Sequence, residues 1–327
     1  MTLDAAQLDR AAGVLVGQAC GDALGVPYEF ASSLPPTPEM IGGGLGPYEP
    51  GQWSDDTEMA ICIARVAARG IDLTSGDAAD EVSEAYAGWL ASGARDVGVH
   101  TRAVLGRAAA MGAADAAPIG ERVRAAAVER HAATRHTAGN GALMRTGIVG
   151  LTRLCSRDET AAAARAMAEL THPDPLAGDS CVLWSEAVRV AVLDGRLDLS
   201  GGLDLLPLER RSAWARWVAE AESGSAALRP NGFTVTALQA AWAAIDSAGT
   251  PHDGGPDPRQ LVVGLNLAVL TGDDTDTVAA IAGALLGARH GLAAVPARWS
   301  EAIHGWPGLR AEDLADLGRR TALAGWR

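Results

Sequence analysis

A chain of 327 residues with 48% hydrophobic and 20% charged side chains can bury a sizeable core, which excludes intrinsic disorder as its general state. Its 40 acidic residues outnumber 27 basic ones to give a formal charge of −13, and every basic one is arginine, which argues against general DNA or RNA binding.

The N-terminus carries Asp4 and Asp9 instead of a basic leader, so it does not read as a signal peptide. Leu8, Ala12, Leu15 and Ala19 then recur at helical spacing. On the same predicted helix Gly13, Gly17, Gly21 and Gly25 fall four apart, on one face. Each costs about 1 kcal/mol relative to alanine, so something must approach that face closely: a neighbouring helix, or a ligand or metal site around Asp22. Asp22 lies near the helix C-terminus, where the dipole disfavours a carboxylate, and Pro27 stops the helix before Glu29. Two acids placed there need a donor or a cation.

Residues Ala31 to Gln52 are rich in Gly and Pro and form a loop long enough to be functional, which is expected to gate a site. Ser54-Asp55-Asp56-Thr57 follows and opens an amphipathic helix with Met59, Ile63, Val66 and Ala67 on its apolar face. Gly139 to Arg145 (Gly139, Asn140, Gly141, Ala142, Leu143, Met144, Arg145) reads as a glycine-flanked turn entering an apolar helical stretch, either an ordinary Asn-Gly turn or an anion site of backbone N–H groups. Thr171-His172-Pro173-Asp174-Pro175 is a polar loop whose lone histidine reads first as a loop hydrogen-bonder. Ser247 to Pro258 is a second Gly/Pro stretch, and Gly272-Asp273-Asp274-Thr275-Asp276-Thr277 opens a helix carrying Val278, Ile281, Ala282 and Leu285. Period-2 strands are missing and aromatics are scarce, so the fold class expected is all-α. Cys20, Cys62, Cys155 and Cys181 are scattered, which argues against structural zinc and reads as buried thiols. The uncharged run Asn231 to Ile245 falls short of the ~20 residues of a membrane helix, so a soluble cytoplasmic protein is expected.

The strongest signal is the pair of acidic helix starts, about two hundred residues apart. Asp, Ser and Thr are good N-caps, but one cap needs one such residue. Adjacent carboxylates repel, which raises their pKa values unless a cation neutralises them. Should the two starts meet, they offer carboxylate and hydroxyl oxygens without histidine or thiolate, a set that suits Mg²⁺ or Mn²⁺ and could hold two ions.

In this order, Gly21-Asp22-Ala23-Leu24-Gly25 with Pro27 and Glu29, Ser54 to Thr57, Gly139 to Arg145, Thr171-His172, Asn231-Gly232-Phe233 before a Trp242-containing helix, and Gly272 to Thr277 running into Ala282-Gly283-Ala284 resemble the ADP-ribosylglycohydrolase family. The resemblance spans most of the chain and implies one all-α domain over residues 1–327 with a dinuclear Mg²⁺ or Mn²⁺ centre. It makes Ser54, Asp55, Asp56, Asp274, Asp276 and Thr277 the metal-ligand candidates. Glu29, Asp55 and Asp56 become the catalytic candidates, and Asp22, the residues from Gly139 to Arg145, His172 and Phe233 the substrate-binding ones. The implied reaction is hydrolysis of the glycosidic bond between ADP-ribose and an acceptor, with an arginine side chain favoured over serine or a small ADP-ribose ester. The expected partner is then the ADP-ribose moiety of a modified protein or small molecule, with neither nucleic acid nor membrane involved. Two rivals stand beside it: a non-catalytic ADP-ribose or nucleotide binder, and a His-Asp phosphohydrolase suggested by His252-Asp253, which lacks partner histidines.

Overall fold

The computed structural model describes residues 2–112, 117–249, 255 and 257–326. They form α1 (Ala5–Gly25), α2 (Asp55–Ala67), α3 (Gly76–Ala91), α4 (Val99–Gly112), α5 (Ile119–Thr134), α6 (Arg157–Glu169), α7 (Pro175–Asp194), α8 (Leu208–Glu222), α9 (Thr234–Ser247), α10 (Pro258–Leu270), α11 (Thr275–His290), α12 (Ala297–Ala302) and α13 (Ala311–Gly325). The β-structure consists of a two-residue pair, His304–Gly305 with Leu309–Arg310, among the described residues. The protein is all-α, as its spacing of apolar residues predicts. His252 and Asp253 lie outside the described residues.

Local chemistry sets several helix ends. Asp4 and Gln7 form a reciprocal capping box on α1, and Asp174 caps α7 ahead of Pro175. Gly195 ends α7 in the left-handed conformation. α1 from Ala11 onward and all of α11 are buried on every side, so these two helices are the centre around which the others pack.

The glycine stripe of α1 is a helix-packing device. A Cβ on Gly13, Gly17 or Gly21 would sit 2.3, 2.3 and 2.0 Å from the carbonyl oxygens of Gly287, Gly283 and Ala279, and one on Gly25 would meet Asp276 Cα at 2.4 Å. Residue numbers rise along α1 as they fall along α11, so the helices run antiparallel with backbones in contact. This geometry places the C-terminus of α1, with Asp22, against the N-terminus of α11, with Asp276.

The cysteine expectation holds for Cys20, Cys62 and Cys181, which are buried, but Cys155 is exposed. It sits in the short connection before α6, where its neighbours Arg153 and Ser156 take the chain to the surface. No helix among the described residues is long and apolar enough to cross a membrane.

Candidate active site

The two acidic helix starts meet, and Asp22 is the joint between them. Its Oδ1 accepts from Ser54 N at 2.8 Å and Ser54 Oγ at 2.7 Å, and its Oδ2 from Thr57 N at 3.0 Å and Thr57 Oγ1 at 2.7 Å. Asp22 thus satisfies the first amides of α2, work that a capping side chain of α2 itself would ordinarily do. Ser54 occupies the N-cap position without making a side-chain cap bond, and so does Asp274 on α11. Plain capping therefore does not account for either acidic segment. Gln18, fully buried on α1, adds a second joint by donating to the carbonyls of Asp56 and Met144 at 3.0 and 3.1 Å.

Carboxylate oxygens of Asp22, Asp56 and Asp276 lie within 4.8 Å of one another, and so do those of Glu29, Asp96 and Asp276. Asp276 belongs to both groups. The Ser54 hydroxyl sits among the first, 3.1 Å from Asp56 Oδ2 and 3.4 Å from Asp276 Oδ2, while Thr277 bonds to Asp56. Asp56 Oδ1 is buried and has no hydrogen-bond partner among the described residues.

Burial, then repulsion from the neighbouring acids, drives Asp55, Asp56 and Asp276 well above the ordinary carboxylate range. Burial raises Asp22 to about 6 against the opposing bonds from Thr57 and Ser54. Glu29 is pushed to about 8, first by burial and then by Asp96, Asp274 and Asp22. A carboxyl with a raised folded-state value binds its proton more tightly folded than unfolded, so its contribution to stability is full at low pH and lost as pH rises through the folded value. In chelator, the melting temperature is expected to fall between about pH 4.5 and pH 8, the window spanned by the ordinary and raised values of Glu29. A divalent ion should flatten that slope. Calorimetry across the pH range with EDTA or Mg²⁺ checks this; a chelated protein whose stability is level or rising over the window contradicts it.

Beside the acids lies a cleft of about 220 Å³. Glu29, Asp55, Asp274, Asp276 and Thr277 line it, together with Gly139, Asn140, Gly141, Met144 and His172. A larger groove of about 720 Å³ between Leu292, Ser300 and Arg319 has no cluster of buried acids among the described residues, so the smaller cleft is the candidate site. Three distant segments are sewn together at its wall. Asn140 Nδ2 donates to Asp274 Oδ2 at 2.7 Å and to the Asn231 carbonyl at 3.1 Å, and Asn231 Oδ1 accepts from Asp274 N at 3.0 Å. Asn140 N donates to the Gly232 carbonyl at 3.0 Å, and Thr234 N to that of Ala138 at 2.9 Å.

Several expected substrate contacts are not on this wall. Asp22 is fully buried behind it, with both oxygens engaged by α2. Ala142 and Leu143 fill the core behind the turn. Arg145 is fully buried and turned inward, its guanidinium 4.8 Å from the Tyr86 ring, because the interior offers it a π-face and the Thr171 hydroxyl. The turn leads into two short 3₁₀ segments, Leu143–Arg145 and Gly147–Leu151, in place of the expected helix, so a helix dipole contributes little there. Phe233 is 40% exposed and joins the site through its backbone bridge to Gly139. None of residues 31–52 lines the cleft, although the stretch is tied down beside it: the Tyr28 hydroxyl donates to the Glu39 carbonyl and accepts from Glu39 N, and Phe30 N donates to the Asp273 carbonyl.

Asp96, His100, Thr101 and the clamping role of Asn231 escape sequence reasoning. Asp96 and His100 flank the start of α4 in a stretch without paired acids or regular spacing, and only their delivery to Glu29 and His172 gives them meaning.

The protein is thus an all-α frame that gathers buried carboxylates from three helix ends beside a polar cleft. The profile of the ADP-ribosylglycohydrolase family matches residues 3–326, and the chain belongs to that family of hydrolases. It is 28% identical over 312 residues to an ADP-ribosylarginine hydrolase Tri1 of Serratia proteamaculans, covering 90% of this chain and 75% of that one. A Pseudomonas putida protein of the same name is 28% identical over 302 residues, covering 90% and 74%. An ADP-ribosyl-[dinitrogen reductase] glycohydrolase of Rhodospirillum rubrum is 34% identical over 188 residues, covering 55% and 57%. Among solved structures, an ADP-ribosylglycohydrolase-related protein complex aligns with a TM-score of 0.71 at 29% identity, covering 98% of this chain and 99% of that one.

Proposed function

We propose that this chain, as a single domain, hydrolyses the glycosidic bond between ADP-ribose and a modified arginine side chain, with two Mg²⁺ or Mn²⁺ ions as cofactors. The observation that carries the reading is Asp276, shared by two groups of close carboxylates, one of which contains the unpartnered Asp56 Oδ1. Such a donor set is all oxygen and strongly anionic, which fits hard divalent cations. Asp55, Asp56, Asp274 and Asp276, with the hydroxyls of Ser54 and Thr277, would hold them. Bound there, the ions would supply charge neutralisation, a hold on ribose hydroxyls and a polarised water.

The chain's own groups do the rest. Glu29, pushed to about 8, and Asp96, itself raised by burial and Asp274, are paired so that their hydrogen bond favours the proton on Glu29 over Asp96. Glycosidic cleavage needs such a division, a proton for the departing group and negative charge beside the developing oxocarbenium. His172, Asn140 and the glycines around it form the wall on which the rest of the ligand docks. The segment 31–52 would gate entry. The two Tri1 relatives support arginine as acceptor.

The test is product analysis with ADP-ribosylated arginine and serine peptides in Mg²⁺, Mn²⁺ or EDTA. Free ADP-ribose from the arginine peptide, lost in EDTA and restored by metal, is expected. Turnover indifferent to chelator removes the metal reading, preference for the serine peptide moves the acceptor, and binding without release makes the chain a sensor.

A further inference from the structure

Behind the cleft wall, Arg145, Thr171 and His172 form a chain of hydrogen bonds that the proposed reaction leaves unexplained. Arg145 Nη2 donates to Thr171 Oγ1, and Thr171 Oγ1 lies 2.7 Å from His172 Nδ1. A guanidinium has only donors, so the threonine oxygen must accept from it. Were His172 Nδ1 also protonated, two donors would face that oxygen and the hydroxyl proton would be buried without an acceptor, at a cost of about 1–3 kcal/mol. The Thr171 hydroxyl is satisfied only if it donates to an unprotonated Nδ1, which leaves the ring proton on Nε2.

That nitrogen faces the cleft. A Cβ on Gly141 would lie 3.2 Å from Nε2 and one on Gly139 3.8 Å, so the two glycines leave the approach open. His172 is 2% exposed, and no acceptor among the described residues takes its Nε2 hydrogen. The His100 ring lies 4.4 Å away, centre to centre, and is itself fixed. Its Nε2 donates to the Thr171 carbonyl at 2.7 Å and its Nδ1 accepts from Arg130 Nε at 3.1 Å.

We propose that Arg145 and Thr171 are positioning residues that lock His172 in the Nε2–H tautomer, so that the cleft presents a neutral hydrogen-bond donor to a diphosphate oxygen of the ligand. The opposite tautomer would aim a lone pair at that oxygen. Burial, His100 and Arg145 also hold His172 well below the ordinary imidazole range, which keeps the ring from becoming a cation. The identity of the ligand rests on the proposed function, whereas the tautomer is a property of the protein alone.

The experiment follows two-bond ¹H–¹⁵N correlations of the histidine rings in ligand-free, ¹⁵N-histidine-labelled protein, with His172→Gln assigning the signal. A protonated Nε2 and bare Nδ1 are expected near neutral pH; a protonated Nδ1 or an imidazolium pattern overturns the relay. Thr171→Val should mix the tautomers and weaken ADP-ribose binding by roughly tenfold in calorimetry, while Thr171→Ser restores both. A valine variant with wild-type tautomer and affinity also overturns it. An Nε2–H signature in wild-type protein that binds no ADP-ribose supports the relay and removes the proposed function instead.

Discussion

Asp276→Asn is expected to abolish turnover, by roughly a thousandfold or more, while raising the melting temperature of the chelated protein. Both effects follow from one geometry. Asp276 is buried and contributes an oxygen to each of the two carboxylate groups, so the amide removes an anionic oxygen that both proposed ion sites would share. It also removes one charge from a cluster in which Glu29, Asp56, Asp274 and Asp22 all repel it. The wild-type protein should gain stability on adding Mg²⁺ or Mn²⁺, as any ligand of the folded state confers, and the variant should gain little. Kinetics and thermal melts with and without EDTA read all three quantities. A variant that unfolds, or that keeps its turnover, would show that the acids serve the fold and not the reaction.

The second large effect concerns Gly21. Helix propensity alone favours alanine over glycine by about 1 kcal/mol. A Cβ at Gly21, however, would sit 2.0 Å from the Ala279 carbonyl oxygen, and backbone cannot rotate away as a side chain can. Overpacking costs about 1–3 kcal/mol in general, and two rigid helices in backbone contact place Gly21→Ala at or above the upper end. The net loss expected is about 2 kcal/mol or more, with activity falling further, since any widening between α1 and α11 draws Asp22 away from Asp276. Gly88→Ala is the control: a Cβ there meets nothing within 4 Å on an exposed helical face, so a gain of up to about 1 kcal/mol is expected. Urea unfolding of both variants compares them, and equal losses at the two positions would refute the close-packing account.

The acidic helix starts were legible because Asp55-Asp56 and Asp274-Asp276 each stand directly before an apolar helical period, a local pattern. The glycines at 13, 17, 21 and 25 announced a close approach in the same way, though not to which partner. Arg145 shows the limit of such reading. A motif places it next to the cleft, but whether its side chain points out toward phosphate or in toward Tyr86 and Thr171 depends on atoms supplied by α3 and by the loop before α7. Asp96 and His100 carry no local pattern and gain their meaning from Glu29, Asp274 and His172, which lie far away in the chain.

The helical fold class, the places of the two acidic helix starts and the close approach to one face of the first helix could all be read locally, because periodicity, capping chemistry and the missing Cβ of glycine act over a few residues. That α11 fills that face, that Asp22 anchors α2 and that Arg145 looks inward followed from the folded arrangement alone. Those outcomes depend on which backbones come within contact distance, and burial then sets the charge each buried group can carry.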